Sequence, residues 1–278
     1  MMAIKDLYVH IDNDKVCGKR LTAAVDLATR MDAHLTGVYV RRAFPFPAYS
    51  TVPMSADVME TYDNLLDEKE SKARNTFSQY TGAQNARVSW RALSGSVTGV
   101  LADEARYSDL LILGQPDPDD SESLNQGLAD QVVFTAGRPC LLIPYTGNAT
   151  GFGQSPLIAW DGSRESARAI HDAMPLLNMA GKATLLIVQP EKADTDFADL
   201  PGALISEHLA RHDIAVEVEV LRGGVQGTGD AILSYVDAYG YDLVVMGAYG
   251  HSRWREIVLG GVTRRVMANM KVPVFMSH

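Results

Sequence analysis

The chain repeats itself, and this repeat constrains its fold more than any other feature. The segment GLADQVVFTAGRPCLLIP, residues 127–144, matches GVTRRVMANMKVPVFMSH, residues 261–278, without a gap. DLLILG at residues 109–114 likewise matches DLVVMG at 242–247, and Asp12 aligns with Asp161. Residues 144–156 between the copies are rich in Gly, Pro, Thr and Asn, which favour turns and loops. We therefore predict two similar domains, residues 1–147 and 154–278.

Each copy alternates short apolar runs with longer amphipathic ones. In the first copy a long helix is predicted near residues 57–80. In the second, an apolar helix face is predicted from Ala167, Ile170, Met174 and Leu177, which recur at helical spacing. Strands alternating with helices of this length imply βαβ units, so we predict an α/β fold: two domains, each a five-stranded parallel sheet with helices on both faces. The predicted strands of the second copy are Leu157–Trp160, Ala183–Val188, Ile214–Val220, Leu243–Met246 and Val274–Met276.

Charge and composition exclude several classes of partner. The formal net charge of −9 argues against nucleic acid or an anionic membrane as a partner held by bulk electrostatics. No apolar run approaches the roughly 18 residues of a membrane helix, and no signal peptide is recognisable. The two cysteines, Cys17 and Cys140, are interpreted as reduced thiols. We therefore predict a cytoplasmic protein that binds neither nucleic acid nor membrane.

A glycine-rich stretch, GAYGHSRWREIVLGG at residues 247–261, follows one predicted strand and precedes a predicted helix. In open parallel sheets, ligands bind beyond the carboxyl ends of the strands. Gly247 and Gly250 would permit tight turns and a close approach to main-chain N–H groups. Gly260 and Gly261 would open a helix whose N-terminus favours phosphate. The stretch predicts a site for an anionic ligand, with simple chain reversal as the alternative; the cationic residues near it are His251, Arg253, Arg255, Arg264 and Arg265.

No catalytic set and no metal site emerge from the sequence. Asp12 and Asp161 end the first strands, but neither has an accompanying base or nucleophile, so a binding or turn-capping role is favoured. His208 and His212 lie four residues apart, yet Leu209 stands where a metallopeptidase helix needs Glu. The loops of pyrophosphatases, nucleotidyltransferases and serine hydrolases are not found either. These absences favour a protein that is not an enzyme.

Two stretches of the second copy resemble the universal stress protein family. One has the spacing Gly247-x-x-Gly250, nine residues and Gly260, followed by VTRRVM and VPVFMSH. The other is IAWDGSRESARAI at residues 158–170. The resemblance covers nearly the whole chain as two copies. It implies Rossmann-like domains of the adenine nucleotide alpha hydrolase-like type, with ATP held between the first and fourth strands. On this resemblance, the adenine and ribose would contact Ala159, Asp161, Val188, Met246 and Gly247, and the phosphates would contact Gly250, His251, Gly260, Gly261, Val262 and Thr263.

One departure from the family pattern concerns the phosphates. The family has Ser or Thr directly after the last glycine, where this chain has Gly261. A hydrogen bond to a charged group contributes about 1.5–3 kcal/mol, which is about ten- to a hundred-fold in affinity. We therefore expect weakened or altered binding: ATP, ADP, AMP or another anion, with or without Mg²⁺, or no nucleotide at all.

The first copy lacks these binding features. After Gly114 the chain reads QPDPDDSESLNQG, in which Asp117 stands where Gly250 stands in the other copy, and Asp119, Asp120 and Glu122 replace the cationic residues. A carboxylate about 4 Å from a phosphate costs roughly 1 kcal/mol in water. We predict that this copy does not bind nucleotide and serves as a structural or protein-contact domain.

The last strand of each copy, residues 140–144 and 274–276, is apolar, and an unpaired apolar edge strand would promote aggregation. The family resemblance implies that such an edge strand pairs with its counterpart from another domain, so we expect the two strands to pair as an intramolecular pseudo-dimer, and leave further homodimerisation open. The resemblance implies a stress-response protein that binds an adenine nucleotide in its C-terminal domain and acts as a regulator or adaptor for an unknown protein partner. The alternatives are an interaction module without nucleotide and a slow ATPase.

Overall fold

The computed structural model describes residues 3–42, 56–82, 87–120, 127–147, 149–189, 202–222, 227–250 and 261–278. The strands are β1 (Asp6–Ile11), β2 (His34–Arg42), β3 (Val88–Gly95), β4 (Leu110–Gly114), β5 (Cys140–Ile143), β6 (Pro156–Ala159), β7 (Lys182–Gln189), β8 (Ala215–Arg222), β9 (Leu243–Gly247) and β10 (Val274–Ser277). The helices are α1 (Cys17–Met31), α2 (Ala56–Thr81), α3 (Val97–Ala105), α4 (Leu128–Thr135), α5 (Arg164–Ala180), α6 (Ala203–Ala210), α7 (Thr228–Tyr239) and α8 (Gly261–Asn269).

The described strands form a single ten-stranded sheet in the order β3-β2-β1-β4-β5-β10-β9-β6-β7-β8. Within each half, β1–β5 or β6–β10, neighbouring strands are parallel. The halves join through β5 and β10, which are antiparallel, with Leu141 opposite Phe275. The sheet thus has the mainly parallel α/β architecture predicted from the alternation, and the two apolar final strands pair with each other as expected.

Both faces of the sheet are covered by helices. One apolar layer includes Leu21 of α1, Phe77 of α2 and Ile170 of α5. The opposite layer includes Val132 of α4 and Val266 of α8, together with side chains from α3 and α7. Burial on both faces explains why the central strands read as continuous apolar runs. Among the described residues, no helix combines the length and the apolar content needed to cross a membrane.

The aspartate shared by DLLILG and DLVVMG anchors the first strand of each half. The carboxylate of Asp109 accepts hydrogen bonds from the main-chain N–H groups of Lys5 and Asp6, at 2.7 and 3.0 Å. The carboxylate of Asp242 accepts three such bonds, from residues 153–155, at 2.9–3.1 Å. These bonds satisfy main-chain donors at the strand entry, so the segment between the halves is held against the second half.

Candidate functional site

A cavity of about 310 Å³ opens at the carboxyl ends of β6 and β9. The strand order reverses between these two strands, because β6 continues along the chain to β7 on one side and contacts β9 on the other. The cavity walls include nine of the residues predicted for the site, namely Ala159, Asp161, Val188, Met246, Gly247, Gly250, Gly261, Val262 and Thr263. His251 and Gly260, and the cationic Arg253 and Arg255, lie outside the described residues.

The sequence analysis missed five wall residues, Trp160, Leu186, Thr228, Ile232 and Tyr249. Leu186 and Val188 of β7, Ile232 of α7 and Met246 of β9 give one end of the cavity apolar walls. The sequence alone did not show that Ile232 faces a cavity. An apolar end of this kind suits a planar base or a similar apolar group.

Asp161 shapes the rim of the cavity through the turn that starts α5. Its Oδ1 accepts a hydrogen bond from the main-chain N–H of Ser163 at 3.0 Å. The hydroxyl of Ser163 then accepts the N–H of Ser166 at 3.1 Å and caps the helix. Burial opposes ionisation of Asp161, but hydrogen bonds from Ser163 and Ser166 outweigh burial and lower its pKa. Asp161 is therefore a turn-capping carboxylate that stays ionised at the cavity mouth.

The two loop glycines have roles that differ from the predicted ones. A Cβ atom on Gly247 would lie 2.5 Å from the main-chain N of Ser166, so glycine is required there for the close approach of α5. A Cβ atom on Gly250 would have its nearest neighbours at 3.7 Å, which is an ordinary contact. The left-handed residue of the turn is Tyr249, with φ of 58°. The tight turn expected at Gly247 and Gly250 therefore takes its left-handed residue from Tyr249, and the close approach of a ligand there stays a prediction.

The first turn of α8 forms the polar end of the cavity. Gly261 begins the helix and lines the cavity together with Val262 and Thr263. Free N–H groups and the helix dipole favour an anion at such a terminus. The hydroxyl oxygen of Thr263 accepts the main-chain N–H of Tyr249 at 3.3 Å, which ties the helix start to the loop.

The cations predicted around the site are placed differently where the structure describes them. Arg265 pairs with Asp230 of α7, with 2.7 Å between Nε and Oδ1. Arg264 lines a different cavity, which lies between the two halves. Neither residue lines the cavity at β6 and β9. An anion in this cavity would therefore contact main-chain groups and a helix terminus of the described walls, not arginine side chains.

In the N-terminal half, an arginine is buried at the carboxyl ends of β1 and β4, the strands that correspond to β6 and β9. Arg20 of α1 is almost fully buried, and its Nη2 lies 2.6 Å from Asp12 Oδ1. A Cβ atom on Gly114, the counterpart of Gly247, would lie 2.2 Å from Arg20 Nη1. Arg20 thus lies directly against the end of β4, whereas the corresponding Gly247 lies against main-chain atoms of Glu165 and Ser166 at the start of α5.

The acidic loop of the N-terminal half also differs from its predicted role. Asp120 is buried, and its Oδ2 accepts the main-chain N–H of Lys15 at 2.7 Å, just before α1. Asp117 accepts the main-chain N–H of Asp119 at 3.0 Å. Glu122 lies outside the described residues. Asp120 therefore stabilises the start of α1, and the sequence analysis had not detected that Arg20 is buried against the end of β4.

Burial and ion pairing shift the pKa values of the groups around Arg20. Burial lowers the pKa of His10 to about 4. Burial raises the pKa of Asp14 to about 6, because the nearby Arg20 offsets only part of the desolvation and Asp12 repels a second negative charge. For Asp12, burial acts upward, but Arg20 outweighs it and lowers the pKa.

Asp12, Asp14 and Cys17 offer ligand atoms within 4.8 Å of one another, a grouping that the sequence analysis did not detect. Arg20 Nη1 also lies 3.7 Å from Asp14 Oδ2, so the guanidinium already supplies positive charge to both carboxylates. Cys17 and Cys140 are both free and buried, as expected for reduced thiols. His208 and His212 are both exposed. Helix α6 ends at Ala210, so His212 lies beyond it.

Comparisons with known proteins agree with this architecture. Residues 156–278 match the model of the Universal stress protein family. The universal stress protein Slr1230 of Synechocystis is 24% identical over 295 residues, with 98% of this chain and 99% of that protein covered.

Among solved structures, the chain is similar in fold to a universal stress protein from Archaeoglobus fulgidus, with a TM-score of 0.75 at 16% identity, covering 98% of this chain and 96% of that one. A putative universal stress protein from Pseudomonas aeruginosa gives a TM-score of 0.57 at 17% identity, covering 99% and 93%. The fold of such proteins therefore extends over both halves, and the C-terminal half carries the matched domain. Together, these comparisons show that residues 156–278 match the universal stress protein family, and that the whole chain is similar in fold to such proteins.

Proposed function

We propose that the C-terminal half, residues 154–278, binds an adenine nucleotide, and that the protein acts as a nucleotide-responsive regulator or adaptor in a stress response. The observation that carries the proposal is the cavity at β6 and β9. It has apolar walls at one end and the N-terminus of α8 at the other. A base would pack against Leu186, Val188 and Ile232, and phosphate would receive N–H groups near Gly261.

The same geometry favours a short phosphate chain over a long one. The cavity of about 310 Å³ is near the lower end of the range for small-molecule sites, about 300–1,000 Å³. Asp161 Oδ2 and Glu165 Oε2 each lie 3.7 Å from the place that a Cβ atom on Gly250 would take. Carboxylates there would repel additional phosphate charge unless a cation lay between them. We therefore propose AMP or ADP as the better ligands, with ATP binding strengthened by Mg²⁺.

The N-terminal half, residues 1–147, is proposed to be a structural and protein-contact domain. Its buried ion pair between Arg20 and Asp12 lies at the carboxyl ends of β1 and β4, the strands that correspond to β6 and β9. A nucleotide entering there would have to displace a buried ion pair and leave both charges without compensation. One nucleotide per chain is the expected stoichiometry.

Isothermal titration calorimetry with AMP, ADP and ATP, each with and without Mg²⁺, tests the proposal. The variant Gly250→Phe places a bulky side chain at the cavity rim and should abolish binding. The matched variant Asp117→Phe changes the corresponding position of the N-terminal half and should leave binding intact. Wild-type protein that ignores millimolar concentrations of all three nucleotides would refute nucleotide binding. Release of ADP and phosphate from ATP, lost in Gly250→Phe, would assign slow hydrolysis to the same site.

A further inference from the structure

One wall of the C-terminal cavity is held by a residue of the N-terminal half. Tyr249, which lines the cavity, is almost fully buried, and its hydroxyl donates a hydrogen bond to Asp130 Oδ1 of α4. No residue of α4 lines the described cavity. Asp130 therefore does not line the cavity, and its link to the cavity wall is the hydrogen bond from Tyr249.

Tyr249 needs such support because its backbone is strained. Its φ of 58° lies in the left-handed region, which bulky residues seldom adopt and which costs about 1–3 kcal/mol. The main-chain N–H of Tyr249 donates to the Thr263 hydroxyl at 3.3 Å, and the side-chain hydroxyl donates to Asp130. The residue is thus held at both ends, one in each half of the chain.

Aromatic packing extends the contact between the halves. The Phe134 ring of α4 meets the Tyr249 ring edge-on, with the ring centroids 6.1 Å apart. The His278 ring lies 4.7 Å from that of Phe134, and its Nδ1 lies 2.9 Å from the carbonyl oxygen of Ala248. We call Asp130, Phe134, Tyr249 and His278 the junction cluster. It packs residues 248–250, directly after β9, against α4.

The duplication provides an internal comparison, because the matching positions of the other copy lack this cluster. The ungapped match pairs Asp130 with Arg264, Phe134 with Ala268 and His278 with Pro144. Tyr249, two residues after Gly247, corresponds to Pro116, two residues after Gly114. Where the cluster would be expected by symmetry, the structure has a cavity of about 390 Å³ lined by Pro116, Arg264 and Ala268, among others. The junction cluster is therefore built on one side only, the side of the loop that lines the proposed nucleotide site.

From this asymmetry we infer that Asp130 of the N-terminal half is a positioning residue for the C-terminal ligand site, so that the site is complete only with both halves. This inference rests on the proposed nucleotide binding. Asp130 holds the Tyr249 hydroxyl, and Tyr249 and the following Gly250 line the cavity. A ligand that packs against Tyr249 then also orders α4, although it does not contact that helix.

The test uses full-length protein and AMP as the probe. Tyr249→Phe keeps the ring and removes the hydroxyl, whereas Asp130→Ala removes the acceptor. Each should weaken AMP binding by roughly ten-fold, the equivalent of one hydrogen bond to a charged group. Asp130→Asn keeps an acceptor oxygen and should restore affinity to within about three-fold of the wild type. Gln131→Ala, a change at the exposed neighbouring position on α4, is the control and should have no effect.

A second readout separates positioning from a general loss of stability. Hydrogen exchange of the α4 amides, residues 128–135, should slow when AMP binds to the wild type and to Asp130→Asn. That protection should be absent at saturating AMP in Tyr249→Phe. Wild-type protein that binds AMP, with unchanged affinity in Tyr249→Phe and Asp130→Ala or with no protection of α4, would overturn this inference alone. Failure of the wild type to bind any nucleotide would refute the proposed function, and this inference with it.

Discussion

Substituting Gly261 by serine probes the phosphate end of the cavity by adding a single hydroxyl. Gly261 is the first residue of α8 and lines the cavity. Among the described residues, no neighbouring atom lies within 4 Å of the place that a Cβ atom on Gly261 would take, and Gly261 belongs to helix α8. A serine side chain therefore enters open space without displacing a neighbour or straining the backbone.

The expected gain follows from the hydrogen bond that serine would make with phosphate. A hydrogen bond to a charged group contributes about 1.5–3 kcal/mol, so AMP and ATP should bind about ten- to a hundred-fold more tightly. Serine is also a better helix residue than glycine, but only by a few tenths of a kcal/mol. The free energy of unfolding should therefore change by less than about 1 kcal/mol, and the gain in affinity cannot be attributed to greater stability.

Isothermal titration calorimetry with AMP and with adenosine distinguishes the phosphate end from the base end. Gly261→Ser should tighten AMP binding and leave adenosine binding unchanged. The matched control is Gly127→Ser, at the corresponding position before α4, where a Cβ atom would lie 3.7 Å from Gln131 Nε2. It should affect neither ligand. Equal tightening of AMP and adenosine, or no tightening of AMP, would refute the assignment of Gly261 to the phosphate end.

Two further predictions concern the buried charges of the N-terminal half. Arg20→Leu leaves Asp12 and Asp14 buried without their partner, so urea denaturation should show a loss of about 3–5 kcal/mol in the free energy of unfolding. The control Arg106→Leu removes an exposed ion pair and should cost less than about 1 kcal/mol. Equal losses in the two variants would contradict this account. Because the folded pKa of His10 is lowered to about 4 from 6.5, its contribution to stability is lost as pH falls from about 6.5 towards 4. The pKa of Asp14 is raised to about 6, so Asp14 acts in the opposite sense: its contribution to the free energy of unfolding is lost as pH rises through about 6. The free energy of unfolding should therefore differ less between pH 7 and pH 4.5 in His10→Gln than in the wild type, by roughly 2 kcal/mol in urea titrations at the two pH values. An unchanged difference would show that His10 is not buried in its neutral form.

Features that depend on local periodicity were predictable from the sequence. The alternation of apolar runs predicted the strands of the second half to within two residues at either end, for example Ala215–Arg222 against the predicted 214–220. The helix predicted near residues 57–80 spans Ala56–Thr81. The duplication predicted the pairing of the final strands, because two apolar edges in one chain satisfy each other.

Side-chain direction within a helix was less predictable. Ala167 was assigned to the apolar face of α5, yet it is exposed, while Ala169 and Ala173 are fully buried. Periodicity defines a stripe on a helix but not its width, so an alanine at the margin is compatible with either environment. The tertiary packing of α5 against β9 and β10 decides between them.

The missed features of the site depend on contacts between distant parts of the chain. Arg20 reads as an ordinary helix cation in the sequence, and only the fold brings it against Gly114, at the far end of β4. Tyr249 reads as a loop residue between glycines, and only the pairing of β5 with β10 brings α4 close enough for Asp130 to accept its hydroxyl. No spacing pattern in a single sequence specifies such pairs.

The most direct test of the account is the number of AMP molecules bound per chain, counted by native mass spectrometry of the wild-type protein. An open cavity in the C-terminal half and a buried Arg20 in the N-terminal half predict one AMP per chain, at saturation. Two AMP molecules per chain would show that Arg20 does not close the N-terminal half. None would show that the cavity beside β9 is not a nucleotide site.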